Sequence, residues 1–355
     1  MKKIYALVLS QLLVIATALA QVAVTVTNPT NTTPNLAASY TSFANAVTAV
    51  NSITAMSGPV TLTCAAGNET APVGGFSIIS PGGTSSTNTI TFTASGTVTL
   101  TASASLTIGI TTDAIIKLVG ADYITINGFT MQENAANTTT GGAGPNNGVT
   151  GNNMTEWGVA FLHSVATNGC QNNTIQNNII ALNKSYANTF GIYSNVRHNN
   201  TAILSADDIT NNTTAPHNNN KIYGNTISNV NFGIAFIGSA TAAYQDSGND
   251  IGGNSVATGN TISNWGGVNP TSGFVSNSIS SYCIFVNHQV NENVSYNTIT
   301  SAAASGTAVT FEGIRKDYSS AAPVGTITSN ITYNTITMRC RKRISTLDTG
   351  QFCYR

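Results

Sequence analysis

The chain is poor in charge. Of its 355 residues only 13 are Lys or Arg and 13 Asp or Glu, 7% in all, with a formal net charge of +0; soluble domains carry roughly 25%. Six basic residues fall between positions 21 and 338: Lys117, Lys184, Arg197, Lys221, Arg315 and Lys316. Neutralising a phosphate backbone takes clustered Lys and Arg, so nucleic acid is not the expected partner. Cysteine is scarce and scattered. Cys64, Cys170, Cys283, Cys340 and Cys353 form no C-x-x-C pair, which argues against a zinc knuckle or a redox dithiol. No disulfide framework is expected, and Cys170 and Cys283 read as small buried apolar residues. Long hydrophobic runs are missing after the first apolar stretch, Ile4 to Ala16, which is itself too short for the ~20 residues of a membrane span. That stretch follows Met1-Lys2-Lys3 and leads to Ala18-Leu19-Ala20 before Gln21, the layout of a secretory signal peptide. Residues 1–20 are therefore expected to be removed, leaving a secreted or cell-surface protein with no membrane span. Phosphate loops, dinucleotide-binding glycines, HExxH and GxSxG are also absent.

What the chain has in quantity is Asn, 44 residues, together with Thr, Ser, Gly and Ala. Hydrophobic residues still make up 41%, enough to build a core. They recur in a pattern: Ile or Val, Asn three residues on, Ile two further. It reads Ile175…Asn178…Ile180, Ile222…Asn225…Ile227, Val294…Asn297…Ile299 and Ile331…Asn334…Ile336. Gly259-Asn260-Thr261-Ile262 keeps the second half, and Ile126…Phe129…Met131 keeps the apolar spacing with Phe in place of Asn. Repeats of this length mark a solenoid. A second element alternates with the first: Trp157-Gly158-Val159, Phe190-Gly191-Ile192, Phe232-Gly233-Ile234 and Tyr282-Cys283-Ile284. One turn of the solenoid is thus expected to hold three short strands. Asn178, Asn225, Asn260, Asn297 and Asn334 should stack in a structural ladder, each amide bonding the next while tolerating the left-handed conformation of a corner.

Ahead of the repeats, Phe43, Ala46, Val47 and Val50 form one helical stripe, and residues 38–56 are expected to lid the open first rung. The division is residues 1–20 signal peptide, 21–75 N-terminal strand and capping helix, 76–338 repeats and 339–355 an atypical tail. That tail gathers Arg339, Arg341, Lys342, Arg343 and Arg355, a break in pattern expected of a truncation or frameshift, with a basic membrane-surface tail as the alternative.

Ile-x-x-Asn-x-Ile repeats alternating with Gly-Ile strands resemble the right-handed parallel β-helix proteins of the pectate-lyase-like superfamily, including large secreted bacterial surface proteins. The resemblance covers roughly residues 85–338. It implies an all-β fold, a right-handed parallel β-helix solenoid with a short N-terminal capping helix, and it is weak for function because the fold hosts lyases, hydrolases and adhesins. Its enzymes need paired carboxylates and a base. The matching candidates are Asp207 and Asp208, an adjacent acidic pair, and the cluster Glu312, Arg315, Lys316 and Asp317 after the strand 308–311, where Arg315 would clamp a uronate carboxylate. Asp246, Asn249 and Asp250 are the oxygen-rich candidates for Ca²⁺; otherwise no cofactor is expected. The leading expectation is a non-catalytic, monomeric scaffold for adhesion or carbohydrate binding, with Tyr186, Tyr244 and Trp265 as exposed sugar platforms. A polysaccharide lyase or glycoside hydrolase acting on acidic glycans is the alternative.

Overall fold

The computed structural model describes residues 21–104, 106–107, 113–139, 153–186, 188–199, 214–266, 280–302, 310–317 and 327–338. The proposed signal peptide, the basic tail with Cys340 and Cys353, and Asp207 and Asp208 lie outside the described residues. Among those described, no helix is long and apolar enough to cross a membrane.

The protein is built of long stacks of parallel strands. One stack runs through Phe76–Ile79, Ala114–Val119, Trp157–His163, Phe190–Asn199, Phe232–Ile237, Ser280–Asn287 and Thr310–Asp317. A second runs from Ile124–Asn127 through Thr174–Gln176, Lys221–Tyr223, Asp250–Ile251 and Asn293–Ser295 to Asn330–Thr332. A third runs from Thr130–Gln132 through Ile179–Ala181, Thr226–Ser228, Thr261–Trp265 and Thr298–Ser301 to Thr335–Thr337. The second and third stacks both begin on the long strand Ile90–Thr101, which itself pairs in parallel with Val60–Thr70. Parallel stacking therefore starts at Val60, ahead of residue 76. Each later turn contributes one strand to each stack, the compatible arrangement for a β-solenoid.

Register follows from the repeat. Ile126, Ile175, Ile222, Ile251, Val294 and Ile331 align in the second stack. Met131, Ile180, Ile227, Ile262, Ile299 and Ile336 align in the third, and Ile116, Val159, Ile192, Ile234, Ile284 and Ile314 in the first. Slipping any strand by one residue would move its Ile from the core to the other face. The rung at Gly259-Asn260 has its missing first half at Asp250–Ile251, with an insertion over 252–258 in between. Gly191 is sterically required in its rung: a Cβ there would lie 2.4 Å from Ile227 Cγ2 and 2.7 Å from the Gly233 carbonyl oxygen. The first stack is buried on both faces, unlike a Thr-lined surface sheet. Its outward residues Trp157, Phe190, Phe232 and Tyr282 form a second apolar cluster, with Trp157 stacked on Tyr193 at 4.7 Å and Phe190 on Phe232 at 4.6 Å.

The helix Phe43–Val50 buries Phe43, Ala46, Val47 and Val50. Its first N–H groups lack helical partners; Ser42 Oγ accepts from Asn45 N–H at 3.1 Å, and the Glu69 carboxylate accepts from Phe43 and Ala44 at 2.7 and 2.9 Å. Phe43 packs on Phe76, Phe92 and Phe129 with centroids 4.8, 5.4 and 5.5 Å away, which closes the apolar end of the first turns. Cys64, Cys170 and Cys283 are buried free thiols.

Candidate functional site

Two polar ladders run along the corners of the stacks. Asn178 Nδ2 donates to Asn225 Oδ1 at 3.0 Å, Asn225 to Asn260 at 3.0 Å, Asn260 to Asn297 at 2.9 Å and Asn297 to Asn334 at 3.0 Å. Phe129 N–H donates to Asn178 Oδ1 at 3.0 Å, so the ladder ends on the Phe that meets the helix. A second ladder, unrecognised in the repeat, stands one corner earlier: Asn173 to Asn220 at 3.1 Å and Asn220 to Asn249 at 3.3 Å. Its signal was present as Asn two residues before the first Ile. The ladder Asn residues are not the left-handed ones. That conformation belongs to the residue before most of them: Asn172, Asn219 and Gly248 at one corner, with Asn291 before Glu292 in the next rung, and Asn177, Gly224, Tyr296 and Tyr333 at the other; Gly259 before Asn260 is the exception. Any side chain at positive φ is uncommon, and a bulky one is strained.

Tyr296 and Tyr333, at φ 60° and 56°, occupy consecutive rungs with their rings stacked 4.9 Å apart at 17°. Tyr333 is 74% exposed. Beside them runs an outward row. Asp250 Oδ2 accepts from the Tyr223 hydroxyl at 2.5 Å, Asp250 Oδ1 accepts from Asn293 Nδ2 at 2.7 Å, and Asn293 Oδ1 accepts from Asn330 Nδ2 at 2.6 Å. Asp250, Asn254, Asn293, Asn330, Tyr296 and Tyr333 line a shallow groove of ≈ 390 Å³. The groove is made of backbone-stiffened corners and mutually bonded amides, so its polar atoms are preorganised. Asp250 is its one ionisable carboxylate, and no Lys or Arg lines it. The tyrosines escaped the sequence reading, although the signal is there: Tyr precedes Asn in two rungs where other rungs place Gly or Asn.

The other candidates fall elsewhere. Asp246 Oδ1 accepts from His217 N–H at 2.8 Å and Oδ2 from Gln289 Nε2 at 2.9 Å; Asn249 Oδ1 accepts from Asn220 N–H at 2.9 Å. With Asp250 in the outward row, the oxygens of the three serve separate bonds. Among the described residues no three acids, His or Cys form a metal-holding group. Glu312, Arg315, Lys316 and Asp317 belong to the strand Thr310–Asp317, not to a loop after it. Arg315 bridges Glu312 at 3.2 Å and Asp317 at 3.1 Å and lies 5.2 Å over the Tyr282 ring, so its guanidinium is already clamped. Lys316 is aligned with the core residue Val286 and pairs with Glu292, whose side chain is 1% exposed. Tyr186 and Trp265 are fully buried, which overturns their reading as sugar platforms: both supply apolar area, and large apolar area is driven inside. Tyr244 is half-buried on the 3-10 turn Ala242–Tyr244.

Burial also sets a pH dependence. It pushes Asp246 up to about 7, against the bonds from Gln289 and His217 that pull it down, and Asp122 up to about 6, against the Gln171 N–H. Carboxyls raised in the fold contribute stability that is full below their unfolded value of 3.8 and lost as pH rises toward 7. Buried His163 and His217 are lowered, mainly by desolvation; their contribution is present above 6.5 and lost as pH falls below it. Above pH 6.5 the histidines are neutral in both states and the raised carboxyl of Asp246 still titrates, so the melting temperature is expected to fall between pH 6.5 and pH 8. Asp246→Asn should flatten that slope by no more than about 4 kcal/mol. Thermal melts of both proteins across pH 4–8 measure it; an unchanged slope in D246N would show that Asp246 is ionised in the fold.

Comparison of the chain with protein-family models, curated proteins and solved structures finds no match.

Proposed function

We propose that this protein is an exported, non-catalytic, right-handed parallel β-helix scaffold of pectate-lyase-like architecture that binds carbohydrate at the Tyr296–Tyr333 groove. The carrying observation is the pair of stacked tyrosines at left-handed corners. Asn177 and Gly224 hold the same corner in earlier rungs, so the fold has no need of a ring there. Two strained, outward rings in succession are explained by what they present to solvent, an aromatic surface for the apolar face of a sugar. The amide row beside them supplies donors and acceptors for sugar hydroxyls. With Asp250 the lone charge and no cation, neutral glycans suit the groove better than uronates. The paired state of Arg315 and Lys316 supports the non-catalytic reading, because acid–base cleavage needs an accessible proton acceptor.

Tyr296→Asn and Tyr333→Gly test the proposal, since each installs a residue that another rung already uses. Their melting temperatures should equal or exceed that of the parent, while retardation in affinity electrophoresis against neutral polysaccharides should weaken about tenfold. Parent and variants that migrate alike through every neutral gel would refute it. Stronger retardation of the parent by polygalacturonate would favour an acidic ligand instead.

A further inference from the structure

A second polar centre lies at the opposite corner of the first stack, where three successive rungs enter it. Asp113 precedes the strand Ala114–Val119, Glu156 precedes Trp157–His163, and Tyr186 and Asn188 precede Phe190–Asn199. Backbone bonds hold these entries in register: Trp157 N–H donates to the Asp113 carbonyl at 3.0 Å, and Phe190 N–H to the Glu156 carbonyl at 2.7 Å. Asp113 N–H donates to Glu156 Oε2 at 2.8 Å. Asp113 is 4% exposed, and Glu156, Tyr186 and Asn188 are 0% exposed.

The centre is under-satisfied. Asp113 Oδ2, Glu156 Oε1, the Tyr186 hydroxyl and both amide atoms of Asn188 form no well-aligned hydrogen bond, although Tyr186 lies close enough to Glu156 and Asn188 for each to influence its ionisation. Buried polar atoms are almost always paired, and Asn188, a fully buried amide with neither end in a well-aligned hydrogen bond, is the anomaly that points to a missing partner. The charges do not balance either. Asp113 and Glu156 share one ammonium, Lys117, whose own pKa is lowered by burial while Asp113 and Glu156 raise it. Glu133 is occupied: its oxygens accept from Thr155 N–H, Thr155 Oγ1 and Asn137 Nδ2 at 2.9, 2.9 and 2.8 Å. Ionised, Asp113 and Glu156 leave one negative charge beyond Lys117 in a buried site.

We propose that Asp113, Glu156, Asn188 and Tyr186 form a binding site for a divalent hard cation, Ca²⁺, which ties three successive rungs together. The two free carboxylate oxygens, the amide oxygen and the phenol oxygen are all hard donors. An irregular mixed set of this kind suits Ca²⁺, which accepts variable geometry, and not Mg²⁺, which demands a near-ideal octahedron. Two carboxylates with two neutral oxygens make no cluster of three acids, in keeping with the absence of one among the described residues. This inference is independent of carbohydrate binding at Tyr296 and Tyr333.

The test is the melting temperature of the full chain in CaCl₂ against EDTA. At pH 8 and a hundredfold excess over Kd, Ca²⁺ should raise it by about 5 °C, with little rise from Mg²⁺. Glu156→Gln and Asp113→Asn should abolish the Ca²⁺ rise and, in EDTA at pH 8, melt above the parent. Tb³⁺ luminescence sensitised through Trp157 and Tyr186 supplies a second readout, and Asn188→Ala, which keeps both acids, should weaken it about tenfold. A parent with no Ca²⁺ response at pH 8, an equal response to Mg²⁺, or a rise retained in E156Q and D113N overturns the proposal.

Discussion

Asn225→Leu, at nearly constant volume, is expected to cost about 3–5 kcal/mol of stability. Asn225 is fully buried and makes four bonds along the ladder. Its Oδ1 accepts from Asn178 N–H and Nδ2, both at 3.0 Å; its Nδ2 donates to the Ile175 carbonyl at 2.9 Å and to Asn260 Oδ1 at 3.0 Å. Each bond is worth about 1 kcal/mol net, and the partners left behind are buried with no water to replace what they lose. The apolar gain from Leu does not offset that, because the cost falls on the neighbouring rungs. Asn334→Leu, at a half-buried rung, should cost about 1–2 kcal/mol by the same reasoning, since water reaches its partners. Asn225→Asp sharpens the test. It keeps the acceptor toward Asn178 but turns an oxygen toward the Ile175 carbonyl and Asn260 Oδ1, so it should be as damaging as Leu at pH 7 and partly recover near pH 4, where a protonated carboxyl donates. Urea titration of the three variants measures this. Equal, small losses at positions 225 and 334 would mean that the strands hold register without the ladder.

Lys316→Met is expected to cost about 3–5 kcal/mol, because it strands the Glu292 carboxylate inside. Glu292 stands where the second ladder has Asn173, Asn220 and Asn249 in earlier turns, and Lys316 reaches it from the inward side of the neighbouring strand. Restoring the ladder's own chemistry should rescue the loss: the double variant Glu292→Asn, Lys316→Met should be about as stable as the parent, as neutral replacements of buried ion pairs often are. A double-mutant cycle by denaturant unfolding gives the coupling. This separates two roles for Lys316. A surface-facing base would be removable with a stability change within about 0.5 kcal/mol, and such a result would return the residue to the list of reactive candidates.

The groove and the buried acid centre differ in how far they were readable. The Tyr residues sit inside the repeat, one position before Asn297 and Asn334, so their rung and corner could be inferred once the left-handed position was known to precede the ladder Asn. Asp113, Glu156 and Asn188 lie outside the Ile-x-x-Asn-x-Ile pattern, 43 residues separating the first two, and no local spacing announces their meeting. Tyr186 and Trp265 show the opposite failure: in an Asn- and Gly-rich setting they read as exposed, and they are buried.

Periodicity alone determined the parallel stacking, the Ile columns and the Asn ladder of residues 178–334, because stacked repeats copy one local geometry and each rung contacts its neighbours in register. The helix stripe Phe43–Val50 was equally local. Tertiary structure alone decided that Lys316 neutralises Glu292, that Arg315 is held between Glu312 and Asp317, that Asp246 answers His217 and Gln289, and that two outward tyrosines share a groove with Asp250. Each of those depends on how far a side chain reaches across a corner into the next rung, a distance set by insertions between strands and not by the repeat itself.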